Sequence, residues 1–243
     1  MNRTHRGWHR ITKNWNKQQV GYGTVSEAGS TCTTIGAPPA TAVVFDLGGV
    51  FIDWDPRHLY RKIFTNESDM ERFLEQVCTP TWHAQLDRGV AFSVASQPLL
   101  TANPRLASLI RAYHDRFREM WGPVSYEMVA LLDRLNDAGH PTYAATNWPG
   151  EYWDEAMTTF PFLSTFDGIL VSGRIGVAKP SRYFFDILST TFPITPSQTV
   201  FIDDRAENVQ AAADAGYRSH RYVGMNALES YLQDNGLGVD API

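Results

Sequence analysis

Thr41-Ala42-Val43-Val44-Phe45-Asp46-Leu47-Gly48-Gly49-Val50 drives an apolar strand into a carboxylate that is followed closely by two glycines. Open α/β sheets place their chemistry at the carboxyl ends of buried strands, and glycine lets a ligand approach the backbone closely. Asp46 is therefore the first candidate for a reacting group.

Outward from this strand the pattern changes character twice. Residues 55–122 read as helical, with no convincing strand. Their clearest helix starts with Asn103 as cap and Pro104 in the first turn, and it carries Leu106, Leu109, Ile110, Tyr113 and Phe117 on one face. Beyond Pro123 helices and strands alternate. Ser125 caps a predicted helix carrying Val129, Leu132 and Leu135 and ending near Gly139, and a short strand follows from Thr142 to Ala145. Further strands are predicted at residues 168–172 and 199–202, with helices near 183–188 and 206–215. Alternation of this kind implies a parallel sheet. The expected organisation is an α/β fold: a Rossmann-like parallel sheet flanked by helices, formed by residues 40–54 and 123–243, with residues 55–122 inserted as a helical cap.

Residues 1–39 are polar and close with Gly36-Ala37-Pro38-Pro39, which reads as a flexible N-terminal extension. Five basic residues against one acid resemble a transit peptide, but the segment lacks clear amphipathic periodicity. The net charge of -5 therefore leaves -9 on the remainder, and so acidic a body argues against nucleic acid as a partner. No apolar run approaches the roughly 18 residues that span a bilayer, which argues against a membrane-embedded chain. Two cysteines, Cys32 and Cys78, are too few for a disulfide framework, and a cytoplasmic protein is the expectation.

Three further polar clusters stand at or beyond the ends of the later strands: Thr146-Asn147, Lys179-Pro180 and Asp203-Asp204. Parallel strands joined by right-handed crossovers bring their carboxyl ends to one edge, so all four clusters can meet in a single crevice. Taken in order, Phe45-Asp46-Leu47-Gly48-Gly49-Val50, Ala145-Thr146-Asn147-Trp148, Ala178-Lys179-Pro180 and Phe201-Ile202-Asp203-Asp204 resemble the haloacid dehalogenase superfamily, in particular its capped sugar-phosphate phosphatase-like members. The resemblance covers about residues 41–223.

The resemblance implies a magnesium-dependent phosphatase that acts on a small phosphorylated metabolite through an aspartyl-phosphate at Asp46. It implies Asp46, the carbonyl of Gly48 and Asp204 as metal ligands, with Asp203 nearby as a further ligand; Asn208, one helical turn after Asp204 on the same face, is expected to orient it. Thr146 and Asn147 would hold phosphate oxygens, and Lys179 would neutralise charge on the transferring group. Arg57 and His58 of the cap are expected to contact substrate, and Trp54, Trp82 and His83 are further candidates. Two adjacent carboxylates at a strand end repel each other without a cation beside them, which favours Mg2+. Nothing in the sequence bears on oligomeric state.

One position departs from the pattern. Most phosphatases of the superfamily carry a second aspartate two residues after the nucleophile as general acid, and here that position is Gly48. General acid-base help contributes roughly 10² to 10⁴ in rate. Some sugar-phosphate phosphatases of the superfamily share the glycine. Either the substrate has a good leaving group or another residue supplies the proton, with Asp53, His58, His83 and Asp87 as candidates. The alternatives are a 2-haloacid dehalogenase, whose halide needs no proton and whose Asp46 would work without metal, and a protein that binds a phosphometabolite without catalysis. The dehalogenase reading leaves Asp203-Asp204 without an evident purpose.

Overall fold

A computed structural model describes residues 38–238; the predicted N-terminal extension lies almost wholly outside them. Pro38 and Pro39, which the sequence placed in that extension, sit against the body. The Arg218 guanidinium donates to the Pro38 carbonyl at 2.5 Å, and the next residue, Ala40, donates its N–H to the Asn235 carbonyl at 2.8 Å.

The first strand, β1 (Ala42–Phe45), is followed by β2 (Ile52–Trp54). Six helices come next: α1 (Pro56–Tyr60), α2 (Glu67–Gln76), α3 (Pro80–Leu86), α4 (Phe92–Ala95), α5 (Gln97–Ala102) and α6 (Ala107–Asp115). The chain returns through β3 (Trp121–Val124), which pairs antiparallel with β2. It then alternates through α7 (Tyr126–Asp137), β4 (Thr142–Thr146), α8 (Trp153–Thr159), β5 (Gly168–Val171), α9 (Ser172–Ile175), α10 (Arg182–Thr191), β6 (Thr199–Asp203), α11 (Ala206–Asp214), β7 (Arg218–Arg221) and α12 (Met225–Asp234). None of the helices described is long and apolar enough to cross a membrane.

Five strands form a parallel sheet in the order β5-β4-β1-β6-β7. β1 is central and wholly buried, because alternate residues serve opposite faces. Val43 and Phe45 belong to one apolar layer with Leu131, Leu135 and Ile202, while Ala42 and Val44 belong to the other with Phe184, Leu188 and Phe201. Burying a side chain such as Phe45 contributes about 1.5–3 kcal/mol. After β1 the chain builds one half of the sheet through β4 and β5 and then crosses to β6 and β7. The strand order thus reverses at β1, and such a switch point opens a crevice at the carboxyl ends.

The helices between β2 and β3 pack around a third apolar cluster, including Tyr60, Phe73, Trp82, Leu86, Tyr113 and Phe117. Tyr152, from the sheet-bearing part, completes that cluster by stacking on Phe117 at 3.8 Å between ring centroids. The stretch expected to be helical to residue 122 already becomes strand at Trp121, because β2 needs a partner for its backbone. Asn103 does not cap a helix. Its side chain donates to the Leu99 carbonyl at 3.1 Å, and a 3-10 turn at Pro104–Leu106 precedes α6. β7 was not foreseen, since Arg-Ser-His-Arg has no apolar signature and forms an edge strand. Ser125 does cap α7, and Gly139 follows its end with φ 79°.

Candidate active site

β1 delivers Asp46 to the crevice, where the residue is 6% exposed. The turn after it is tight: the N–H groups of Val50, Phe51 and Ile52 all converge on the Leu47 carbonyl at 2.8–3.3 Å. Gly49 has φ 72°, and a Cβ there would stand 2.5 Å from Asp204 Oδ2. A glycine is required twice over, by the backbone and by the close approach of that carboxylate. At Gly48, by contrast, a Cβ would meet nothing within 4 Å.

β6 ends in Asp203, and Asp204 follows. Asp203 is fully buried and heavily bonded: Oδ1 accepts the Arg205 N–H at 2.9 Å, Oδ2 contacts Lys179 Nζ at 2.6 Å, and the Asn208 amide reaches both oxygens at 3.0 and 3.1 Å. Asn208, expected to orient Asp204, therefore holds Asp203 instead. Asp204 is half-buried and its side chain lies against Gly49.

Lys179 is 3% exposed, and its ammonium sits between Asp203 and Asp46, 3.0 Å from Asp46 Oδ1. The Asn147 side chain fixes its backbone by accepting from the Lys179 N–H at 2.9 Å and donating to the Lys179 carbonyl at 3.0 Å. The amide expected to bind phosphate is thus largely spent in clamping the Lys179-Pro180 loop, whose peptide bond is cis. Thr146, at the end of β4, is buried, and among the described residues its hydroxyl has no hydrogen-bond partner. A buried hydroxyl normally finds a partner, and this donor is left over.

Burial raises the Asp46 carboxyl to about 7; Lys179 opposes that shift and the Asp203 carboxylate adds to it. Asp204 is likewise raised by burial and by Asp203. Burial lowers the Lys179 ammonium, but Asp203 and Asp46 more than reverse this, so its net shift is upward. A divalent cation among these carboxylates would invert the logic for Asp46 and Asp204 by favouring their ionised forms. The donor set fits such an ion: Asp46, Asp203 and Asp204 each offer an oxygen within 4.8 Å of the others. All three are hard oxygen donors, the kind magnesium takes. Asp203 already accepts four contacts, so Asp46 and Asp204 are the more open donors.

Above the carboxylates lies a cavity of about 180 Å³ whose walls include Asp46, Gly48, Trp54, His83, Asp87 and Asp204. Beside it, sharing Trp54, His83, Asp87 and Asn147, is a larger cavity of about 670 Å³ that also meets Leu74, Pro80, Ala84 and Tyr113. Trp82 serves packing; its ring is buried and Nε1 donates to the Ala95 carbonyl at 2.9 Å.

Two residues expected at substrate are committed elsewhere. Arg57 lines the larger cavity, but its guanidinium is forked onto Glu71 at 2.6 and 2.7 Å. His58 lines neither cavity and pairs with Asp53 at 2.9 Å beside the β2–β3 ribbon. Of the four candidates to replace an acid at position 48, Asp53 and His58 therefore occupy each other, while His83 and Asp87 face the site. The clamp of Asn147 on Lys179 and the hold of Asn208 on Asp203 carry no sequence signal, because each depends on how loops from different strands meet.

Comparison with known proteins bears on the family and the fold. The family model for haloacid dehalogenase-like hydrolases matches residues 40–216. The sesquiterpene phosphatase astK of Aspergillus oryzae (strain ATCC 42149 / RIB 40) is 27% identical over 207 residues, covering 82% of this chain and 93% of that protein. Among solved structures, the magnesium complex of the HAD family enzyme bt-2542 from Bacteroides thetaiotaomicron has a TM-score of 0.59 at 17% identity, covering 76% of this chain and 93% of its own. L-2-haloacid dehalogenase from Xanthobacter autotrophicus, with chloropropionic acid covalently bound, has a TM-score of 0.55 at 18% identity, covering 84% and 85%. At such identities these two structures speak for the fold alone. With a family model spanning most of its length and a parallel sheet that carries Asp46 at its switch point, the chain belongs to the haloacid dehalogenase-like hydrolases.

Proposed function

We propose that this hydrolase is a magnesium-dependent phosphatase acting on a phosphate monoester, with Asp46 as nucleophile. The observation that carries the reading is the triad of carboxylates at the foot of the cavity, with the Lys179 ammonium wedged between two of them. A dehalogenase has no need of Asp204 beside its nucleophile, whereas a phosphatase must bring a carboxylate against a dianionic ester.

Asp46, Asp204 and the carbonyl of Gly48 would hold the cation, with Asp203 bracing Lys179 beside them. When bound, the magnesium would offset the charge between carboxylate and phosphate. Both protein contacts to the Asp46 carboxylate fall on Oδ1, from the Leu47 N–H at 2.7 Å and from Lys179. Among the described residues nothing bonds Oδ2, which keeps lone pairs for the phosphorus. As the Asp46–phosphorus bond forms, the ester P–O bond breaks and its electron pair leaves on the alcohol oxygen. Water then attacks phosphorus and releases the Asp46 carboxylate and inorganic phosphate. Lys179 and the Thr146 hydroxyl would hold the equatorial oxygens as charge builds on them. The helices of residues 56–120 serve as a cap that excludes bulk water from this step.

The larger cavity bears on the choice of substrate. Trp54, Leu74, Pro80, Ala84 and Tyr113 along its wall offer apolar contact to a carbon skeleton, alongside charged groups such as Asp55, Arg88 and Glu207. The astK relative, a sesquiterpene phosphatase by name, points the same way. The test is phosphate release from farnesyl phosphate and from glucose 1-phosphate, with Mg2+ and with EDTA, alongside chloride release from 2-chloropropionate. Mg2+-dependent phosphate release that Asp46→Asn abolishes is expected, faster with the terpenoid ester. Chloride release that persists in EDTA would overturn the assignment.

A further inference from the structure

We propose that His83 and Asp87, one helical turn apart on α3, form the acid-base pair that serves the leaving oxygen in place of a side chain at position 48. The inference rests on the phosphatase reading above. Three observations support it. First, the space that a residue-48 side chain would enter is open: a Cβ there meets nothing within 4 Å, and Gly48 shares its cavity with both His83 and Asp87.

Second, the pair is built as a unit. His83 Nε2 lies 3.4 Å from Asp87 Oδ1, and the two side chains are only 13% and 12% exposed. The imidazole stacks on Trp54, at 4.7 Å between ring centroids, and lies nearly parallel to Phe117, at 6.3 Å. Its other nitrogen, Nδ1, is 3.0 Å from the Tyr113 hydroxyl. A hydroxyl can accept from an imidazolium and donate to a neutral imidazole, so this contact serves both protonation states. Burial holds Tyr113 itself well above the usual phenol range, so it stays protonated throughout.

Third, Asp87 is buried and its Oδ1 makes no well-formed hydrogen bond. A buried carboxylate oxygen left unsatisfied beside a histidine is costly, and such a group calls for a role. At 3.4 Å the contact is too long to be a well-formed hydrogen bond, which leaves the Nε2 proton for a substrate oxygen.

The chemistry balances without any further reactant. In the first half-reaction the Asp46–phosphorus bond forms, the ester P–O bond breaks, and the departing oxygen takes the Nε2 proton, leaving alcohol and neutral imidazole. In the second, that imidazole accepts one proton from the water whose oxygen bonds to phosphorus. The aspartyl bond breaks, the carboxylate leaves with its electron pair, and the imidazolium is restored.

A group that protonates the leaving oxygen matters most when the leaving group is basic. The experiment therefore compares n-butyl phosphate with p-nitrophenyl phosphate, both with Mg2+, in the full-length protein and in His83→Gln and Asp87→Asn variants. His83→Gln should lower kcat/KM for the alkyl ester about 100-fold or more and for the aryl ester by less than about tenfold. Asp87→Asn should shift the ratio in the same direction. Equal losses on both esters in both variants, or an unchanged alkyl rate, would overturn the assignment of the acid while Asp46-dependent turnover left the phosphatase reading standing. If the unsubstituted protein released phosphate from neither ester, the phosphatase reading itself would fall. Should His83→Gln melt before assay, the ratio in Asp87→Asn decides.

Discussion

Replacing Gly49 with alanine while leaving Gly48 alone, and the reverse, separates two adjacent glycines with opposite roles. At Gly49 an alanine meets two penalties. The backbone has φ 72°, and holding an L-residue in that region costs about 1–2 kcal/mol. Its Cβ would also stand 2.5 Å from Asp204 Oδ2 and 2.7 Å from Cγ, so the carboxylate must withdraw by several tenths of an ångström to reach ordinary contact at 3.4 Å. At Gly48 neither penalty applies, and the loss of unfolded-state freedom favours alanine by about 0.4–1 kcal/mol. For a domain of this size 1 kcal/mol moves Tm by about 2–4 °C. The backbone penalty alone should therefore lower the Tm of Gly49→Ala by about 2–8 °C, with the displacement of Asp204 adding to it, whereas Gly48→Ala should leave it level or slightly raised. Thermal melts with and without Mg2+ add a second readout: the increment from Mg2+ should shrink in Gly49→Ala, because Asp204 is displaced. Equal melting temperatures for the two variants, or an undiminished Mg2+ increment in Gly49→Ala, would refute the reasoning.

Lys179→Met should destabilise the protein by about 3–5 kcal/mol, since it leaves Asp46 and Asp203 buried without their shared cation, and denaturant melts would register the loss. Asn208→Ala removes the amide that reaches both oxygens of Asp203 and should cost about 1–3 kcal/mol in the same assay; a neutral result would mean that Asp203 is satisfied without it. Ala84→Trp, on the wall of the larger cavity, should raise KM for farnesyl phosphate well above its effect on p-nitrophenyl phosphate, and parallel changes would count against that cavity as the site of the carbon skeleton.

The parallel sheet and its reacting edge were legible because they depend on local signals. A strand such as Ala42–Phe45 is apolar at every position since both of its faces are covered, and the polar residues that interrupt such runs mark the edge. Asp46, Thr146 and Asp203 are each found by that rule, Lys179 by its place before Pro180 in a loop beyond β5, and the structure brings Asp46, Lys179 and Asp203 together. What escaped the sequence is pairing across loops. Arg57 and His58 carry the right chemistry for substrate contact, yet Glu71 takes one and Asp53 the other, and an ion pair formed 14 or 5 residues away leaves no periodic trace. β7 escaped for the opposite reason, since an edge strand of Arg-Ser-His-Arg needs only a neighbour's backbone to form.

By itself, then, the sequence determined the α/β class, the strand that ends in Asp46, the missing side chain at Gly48 and the carboxylates at Asp203 and Asp204, all of which follow from residue type and spacing. Only the tertiary structure decided that Asn147 clamps Lys179, that Asn208 serves Asp203 rather than Asp204, and that His83 with Asp87 overlooks the gap at Gly48. The reason is physical. Apolar burial is dictated residue by residue, whereas the partner of a polar group depends on which loops the packed core happens to bring within about 3 Å of one another.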